Sequence, residues 1–248
     1  TEEAVSGLIA DITMRHKFED CIDIPENHMY SVAYQLSPKQ ARAYAQMKAI
    51  SIAELNSGKL VTAINGAAVT TKLQQIASGA VYGMNDKGDD ASHVVDRGRY
   101  ELILDLIEER QHSLCFFLWR HQKDELIAEA EKRGITYCVI DGTTSIKERE
   151  ELVQHYQNGF YRVMFAHPQS AGHGLTLTRG TATIWASPTY NLEHFAQGNK
   201  RTYRNGQKNK TETIVVLGEG TIDEIVYKAL ETKNSRMSNL LDLLQELK

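Results

Sequence analysis

Thr136-Tyr137-Cys138-Val139-Ile140 is followed without a break by Asp141-Gly142-Thr143-Thr144-Ser145 and then Ile146-Lys147-Glu148. A short apolar run rich in β-branched and aromatic residues reads as a strand buried on both faces. The small polar residues after it read as a loop, and Ser145-x-x-Glu148 is a capping box that opens a helix burying Leu152, Val153 and Tyr156. Strand, loop and capped helix in that order make one unit of a parallel sheet.

The same grammar recurs on both sides. Candidate strands run from Ser113 to Trp119, Arg162 to Ala166, Thr181 to Ala186 and Thr213 to Leu217, with amphipathic helices between them. One of those helices covers Glu125 to Arg133 and stops at Gly134; another, short, starts at Asn191. A last helix begins at Thr221-x-x-Glu224 and runs to Leu247, with a break near Asn234. The predicted fold class is therefore α/β, a parallel sheet flanked by helices.

Upstream, Tyr30, Val32, Tyr34 and Leu36 alternate as in a half-buried strand. Ser37-Pro38-Lys39-Gln40 announces a helix, with Ser37 as N-cap, Pro38 at the first helical position and Gln40 closing a capping box. A second helix covers Thr71 to Ala77 and stops near Gly79. The polar, turn-forming stretch from Asn85 to Gly98 is the candidate boundary or surface insertion.

A chain of 248 residues, 42% hydrophobic and 24% charged, buries a core without cross-links. No apolar run is long enough for a membrane helix, and Cys21, Cys115 and Cys138 form neither a disulfide framework nor a zinc pattern. Together these predict an intracellular protein, cytoplasmic in a bacterium or phage and nuclear in a eukaryote, with no metal ligands assigned. Thr1 in place of Met predicts processing or a cut chain. With 28 basic against 32 acidic residues the net charge is −4, so any nucleic-acid site has to be a local patch.

Three loops carry candidate chemistry, because in open α/β sheets ligands bind beyond the carboxyl ends of the strands. Asp141 to Ser145 offers hydroxyls and free backbone N–H groups to a phosphate, or is only a turn and N-cap. Gln169-Ser170-Ala171-Gly172-His173-Gly174-Leu175-Thr176-Leu177 combines close-approach glycines with Ser170 and Thr176 as donors, or is a simple βα turn. Gln197-Gly198-Asn199-Lys200-Arg201-Thr202-Tyr203-Arg204-Asn205-Gly206-Gln207 places two guanidinium forks three residues apart, suited to a phosphoryl group in transfer; the alternative is an ordinary basic surface.

Taken in their joint order, the three loops resemble the second, C-terminal RecA-like lobe of Swi/Snf-type, superfamily-two DNA-dependent ATPases. Met14-Arg15-His16-Lys17 with Ile24-Pro25-Glu26 is similar to that family's connector, and Phe116-Phe117-Leu118-Trp119 to the strand opening lobe two. The resemblance implies a division into 1–95 (connector and start of lobe two), 96–234 (RecA-like core) and 235–248 (C-terminal helix). It implies Arg201 and Arg204 as catalytic arginines, Gln197, Gly172 and Gly174 at the nucleotide, and Thr143, Ser170, Thr176 and Lys123 on the DNA backbone. His173, Lys200 and Tyr203 depart from the pattern, which suggests a divergent, phage or mobile-element member. Related RNA helicases differ at the arginine motif, so DNA, as duplex, is the expected partner and RNA the alternative.

Gly58-Lys59-Leu60 lacks the earlier glycine and the hydroxyl of a phosphate-binding loop, so ATP and Mg²⁺ are expected to be held by an N-terminal RecA-like lobe of the same polypeptide. Alone, the chain is expected not to hydrolyse ATP. Asp223-Glu224 reads as first-turn acids favouring a helix dipole rather than a metal pair. A non-catalytic RecA-like module that binds nucleic acid or a partner is the rival reading.

Overall fold

The structure, a computed structural model, describes residues 21–56, 63–84, 90–172 and 174–232. Six strands form one parallel sheet: β1 (Asn27–Tyr34), β4 (Ser113–Phe116), β5 (Tyr137–Ile140), β6 (Val163–Ala166), β7 (Ala182–Trp185) and β8 (Thr211–Gly218), in the order β1-β8-β7-β4-β6-β5. β4, β6 and β7 are buried along their whole length, as expected of strands covered on both faces.

Period-two alternation sorts the core into two layers. Cys115 and Phe117 face α3 (Gly98–Glu108) and α4 (Arg120–Lys132), whose Ile103, Leu104, Ile107, Leu126 and Ala130 are buried there. Leu114 and Phe116 face the opposite layer with Tyr156 of α5 (Ile146–Gln157), Phe195 of α6 (Leu192–Asn199) and Tyr227 and Leu230 of the final helix α7, described over 222–232. A smaller cluster of Tyr44, Leu73, Ile76 and Ala77 joins α1 (Pro38–Asn56) to α2 (Ala63–Ala77), next to the antiparallel hairpin β2 (Ala80–Met84) and β3 (Asp90–Val94).

Several expectations change. The first strand ends at Tyr34 and lies at the sheet's edge beside β8, so Tyr30 is exposed and its hydroxyl donates to Glu212. Ser37 does accept from the Gln40 backbone N–H, but the Gln40 side chain donates to Ile76 O and Ala77 O and accepts from the Tyr34 hydroxyl. The capping box is thus half made, because a buried tertiary partner outcompetes the local one. The strand from Ser113 stops at Phe116, since Trp119 is already the extended N-cap of α4, which begins five residues before Glu125. Part of the expected polar boundary is β3, with α3 starting at Gly98; residues 85–89 lie outside the described residues. The early connector motif at 14–17, Gly58-Lys59-Leu60 and everything from 233 onward, including the break near Asn234, also lie outside them.

Candidate nucleotide and nucleic-acid site

α6 carries the third loop, and its placement follows from one glycine. A Cβ on Gly198 would stand 2.8 Å from both Phe116 and Trp185, so only a residue without a side chain lets this helix settle on their stacked rings. Trp185 Nε1 donates to Asn199 Oδ1 at 2.9 Å and fixes the helix along its axis, while Asn191 caps its first turn by accepting from His194 N–H. The chain then turns at Lys200. Arg201 O accepts from Leu177 N–H at 2.9 Å, and the Thr202 and Thr183 hydroxyls lie 2.7 Å apart.

Gln207 closes the turn. Buried, it donates Nε2 to Thr178 O, Gly180 O and Thr202 O and accepts at Oε1 from the Lys208 and Asn209 N–H groups. Its part in the loop is to saturate backbone groups that would otherwise be orphaned.

Between α6 and this turn lies an open cleft of about 460 Å³ lined by Ala196, Gln197, Lys200, Arg201, Tyr203 and Arg204. Arg201 is 7% exposed, and its Nε has no hydrogen-bond partner. Burial, and then the like charge of Arg204, push its guanidinium below its ordinary value. Arg204 Nη1 donates to Gly174 O and Leu175 O at 3.3 Å each, which ties the third loop to the second. Among the described residues neither arginine has a carboxylate within ion-pair distance. Gln197 is exposed at the rim and donates to Glu193. Gly172 closes the short 3₁₀ turn Ser170–Gly172, and Gly174 stands at φ +64°, in the left-handed region.

Two of the four nucleic-acid candidates, Lys123 and Thr143, meet at one carboxylate. Lys123 Nζ is 2.8 Å from Asp141 Oδ2, and the Thr143 hydroxyl donates to Asp141 Oδ1 at 2.6 Å. The bonds from Lys123 and Thr143 hold the Asp141 carboxyl down at about 2. Asp141, which sequence reasoning left off its site residues, is thus the hub of the first loop; its position two residues before Thr143 was the available signal. Ser170 is buried at the start of the 3₁₀ turn that follows the adjacent strand β6, and Thr176 is exposed on the run leading from the second loop to the arginine turn. The structure therefore joins Gly174 to the arginine pair and Lys123 to Thr143, as two separate groups. Lys200, noted in the sequence only as a departure, places its ammonium 4.6 Å over the Tyr203 ring at the mouth of the cleft, a pairing encoded by the three-residue spacing.

Residues 98–206 match the helicase conserved C-terminal domain, a span from the start of α3 to the end of the arginine turn. A putative protein p41 of Acyrthosiphon pisum secondary endosymbiont phage 1 is 26% identical over 96% of this chain and 50% of its own length. The SNF2 domain-containing protein ENL1 of Oryza sativa subsp. japonica is 33% identical over 51% of this chain and 13% of its own. The chain thus spans half, or less, of these relatives. In fold it is similar to the Sulfolobus solfataricus SWI2/SNF2 ATPase core solved with dsDNA, with a TM-score of 0.64, 21% identity and coverage of 94% of this chain and 50% of that one. The parallel RecA-like sheet, the helicase C-terminal match over residues 98–206 and the similarity to SNF2 proteins together support a Swi/Snf-type, superfamily-two C-terminal helicase lobe.

Proposed function

We propose that this lobe completes the ATP site of a DNA translocase, with Arg201 and Arg204 acting on the phosphoryl group in transfer and the first two loops contacting the DNA backbone. The observation that carries the reading is that, among the described residues, the arginine pair has no counter-ion. A buried guanidinium is costly unless paired, and elsewhere in this chain the cost is met: Arg99, 0% exposed against 7% for Arg201, is bonded to Asp223 at 2.5 Å. Arg201 instead faces a second positive charge across an open cleft. A polyanion entering there relieves both costs, and the charge spread over a transferring phosphoryl group suits two planar forks.

ATP and Mg²⁺ would be held mainly by a first lobe, whose phosphate-binding loop has no counterpart in this sequence. When bound, the nucleotide supplies the scissile bond. This chain's share is to deliver Arg201 and Arg204 on closure, with Gln197 at the rim and Gly174 allowing backbone approach. Opening and closing would shift this lobe's grip on DNA relative to the other lobe's. The SWI2/SNF2 core solved with dsDNA supports duplex as the track.

The test is steady-state turnover, at saturating duplex, of the polypeptide that joins this chain to a lobe bearing a phosphate-binding loop. Arg201→Ala or Arg204→Ala is expected to lower kcat by about 10³-fold or more with small changes in ATP affinity, since the arginines act mainly on the transition state. Lysine at either position should rescue poorly, because a point charge lacks the fork geometry. Thermal unfolding of each variant separates lost chemistry from lost folding. Near-normal turnover in both alanine variants would overturn the reading and favour a non-catalytic module.

A further inference from the structure

The opposite, N-terminal edge of the sheet holds a second open cleft, of about 730 Å³, which meets the site above only where Gly206 and Gln207 close the arginine turn. Its walls come from the chain before β4, the end of α5 and the loops before β7 and β8, and they include Arg179, Thr178, Lys208 and Asn209. Arg179 is held there from several sides. Its Nε donates to His112 Nε2 at 2.9 Å and its Nη1 to Gln157 O at 3.2 Å, while its backbone N–H donates to Gln157 Oε1 at 3.0 Å. The flat of the guanidinium lies over Gly159, where a Cβ would meet Nη2 at 2.6 Å; at φ +85° that position resists any other residue.

Every one of these partners is neutral. His112 must accept at Nε2, and burial with the nearby Arg179 and Arg162 charges pushes its imidazole below its ordinary value, in keeping with the neutral form. Arg110 in the same cleft is spent on Glu212 at 2.9 Å, and Lys210 lies 3.7 Å from Glu26. Among the described residues Arg179 and Lys208 have no carboxylate partner, so both bring an uncompensated positive charge to a polar cleft. An arginine needed only to cap the C-terminal carbonyls of α5 would not require the imidazole and the glycine seat as well. Rigid, neutral support of a guanidinium fixes its fork without quenching its charge, which is the preorganisation that oxyanion recognition requires.

We propose that this cleft is a phosphate-binding site, anchored by Arg179 with Lys208 as the second cation and Thr178 and Asn209 as neutral donors. The phosphate can come from a nucleic-acid backbone or from a free phosphate compound, since the chemistry is shared.

The experiment titrates the ¹⁵N-labelled chain with pyrophosphate and, separately, with a short DNA duplex, following the Arg179 Nε–H signal and the amides of residues 178–181 and 206–210 by NMR. Saturable shifts confined to these signals are expected, with affinity falling about tenfold in Arg179→Gln. Lys208→Gln is expected to weaken binding several-fold; its side chain is exposed and, among the described residues, makes no hydrogen bond or ion pair, so this variant keeps the fold even if the loss of Arg179 loosens α5. If duplex perturbs the same signals and competes with pyrophosphate, the proposal stands with a nucleic-acid backbone as source; if duplex leaves them unmoved, it stands with a free phosphate compound. Unperturbed signals with pyrophosphate, or unchanged affinity in both variants, overturn it.

Discussion

Two buried arginines in one chain show how a residue's surroundings separate structure from chemistry. Arg99 is 1% exposed along its side chain and donates to Asp223 Oδ2, Ala186 O and Ser187 Oγ, with the Tyr34 ring 5.2 Å from its charge; its Nε, like that of Arg201, has no hydrogen-bond partner, so the difference between the two lies in the carboxylate. Asp223 also accepts from Gly218 N–H, so a single ion pair fixes the starts of α3 and α7 against the ends of β7 and β8. Asp223 had been read from the sequence as a first-turn acid serving the helix dipole; its position fits that reading, but its partner is a cation far away in the chain. Breaking the pair leaves a charge buried without its complement. Arg99→Ala or Asp223→Asn is expected to cost about 3–5 kcal/mol, read as a lowered midpoint in urea with the slope unchanged. Replacing both by apolar residues of similar size should recover most of the loss. A single variant that unfolds at the wild-type midpoint would show the pair to be dispensable.

Among the elements, one imidazole fastens both the hairpin β2–β3 and the end of α2 to the core, beside the Tyr100 hydroxyl that donates to Ser78 O. His121, in the first turn of α4, lies 2.8 Å from both the Ser78 and the Tyr82 hydroxyls and stacks on Trp119. Burial, with the Arg99 charge behind it, pushes its imidazole down to about 4. The unfolded chain takes up this proton near pH 6.5, whereas the folded chain resists it until about pH 4. The stabilisation is therefore complete above pH 6.5 and is lost as the pH falls from there toward 4, with an upper size on the order of 3 kcal/mol. The midpoint of denaturant unfolding, measured from pH 7.5 to 4.5, should drop less in His121→Asn than in wild type. Equal slopes would remove His121 as the cause, leaving His112 and His167, which burial also pushes down. This fastening was not legible in the sequence, because Ser78, Tyr82 and His121 share no period or spacing. Short apolar runs did disclose β4 to β8, since burial on both faces leaves its mark in composition. Ser145 and Asn191 disclosed two helix starts, because a cap is a local interaction. The Gln40 side chain misled for the opposite reason, its partners lying 36 and 37 residues away. At the candidate site the arginine spacing was legible, whereas the missing counter-ion at Arg201 and the Asp141 hub required three dimensions.

For the molecule as a whole, charge sets what the proposed DNA grip can do. The chain carries a net charge of −4, and Lys123, the cation assigned to the DNA backbone, is already bonded to Asp141. On the proposed reading few phosphates would be neutralised by duplex at the carboxyl edge of the sheet, and the contacts proposed for Thr143, Ser170 and Thr176 would carry no sequence information. Binding by this chain is expected to be weak, equal on unrelated duplexes, and to fall with salt at a log–log slope on the order of −2 to −3, at about −0.9 per phosphate. Asp141→Asn offers a sharper check. It removes one negative charge at the grip and releases the Lys123 ammonium, while its remaining oxygen can still accept from Thr143. Duplex affinity should then rise at low salt, and the slope should steepen by about one. Fluorescence anisotropy on two unrelated duplexes across a salt series reads all three quantities. A flat salt response or a strong preference for one duplex would remove the backbone grip. If Asp141→Asn bound no more tightly than wild type while the slope stayed steep, the grip would stand but Lys123 would not belong to it, and the contacts would lie with the cations elsewhere on the lobe.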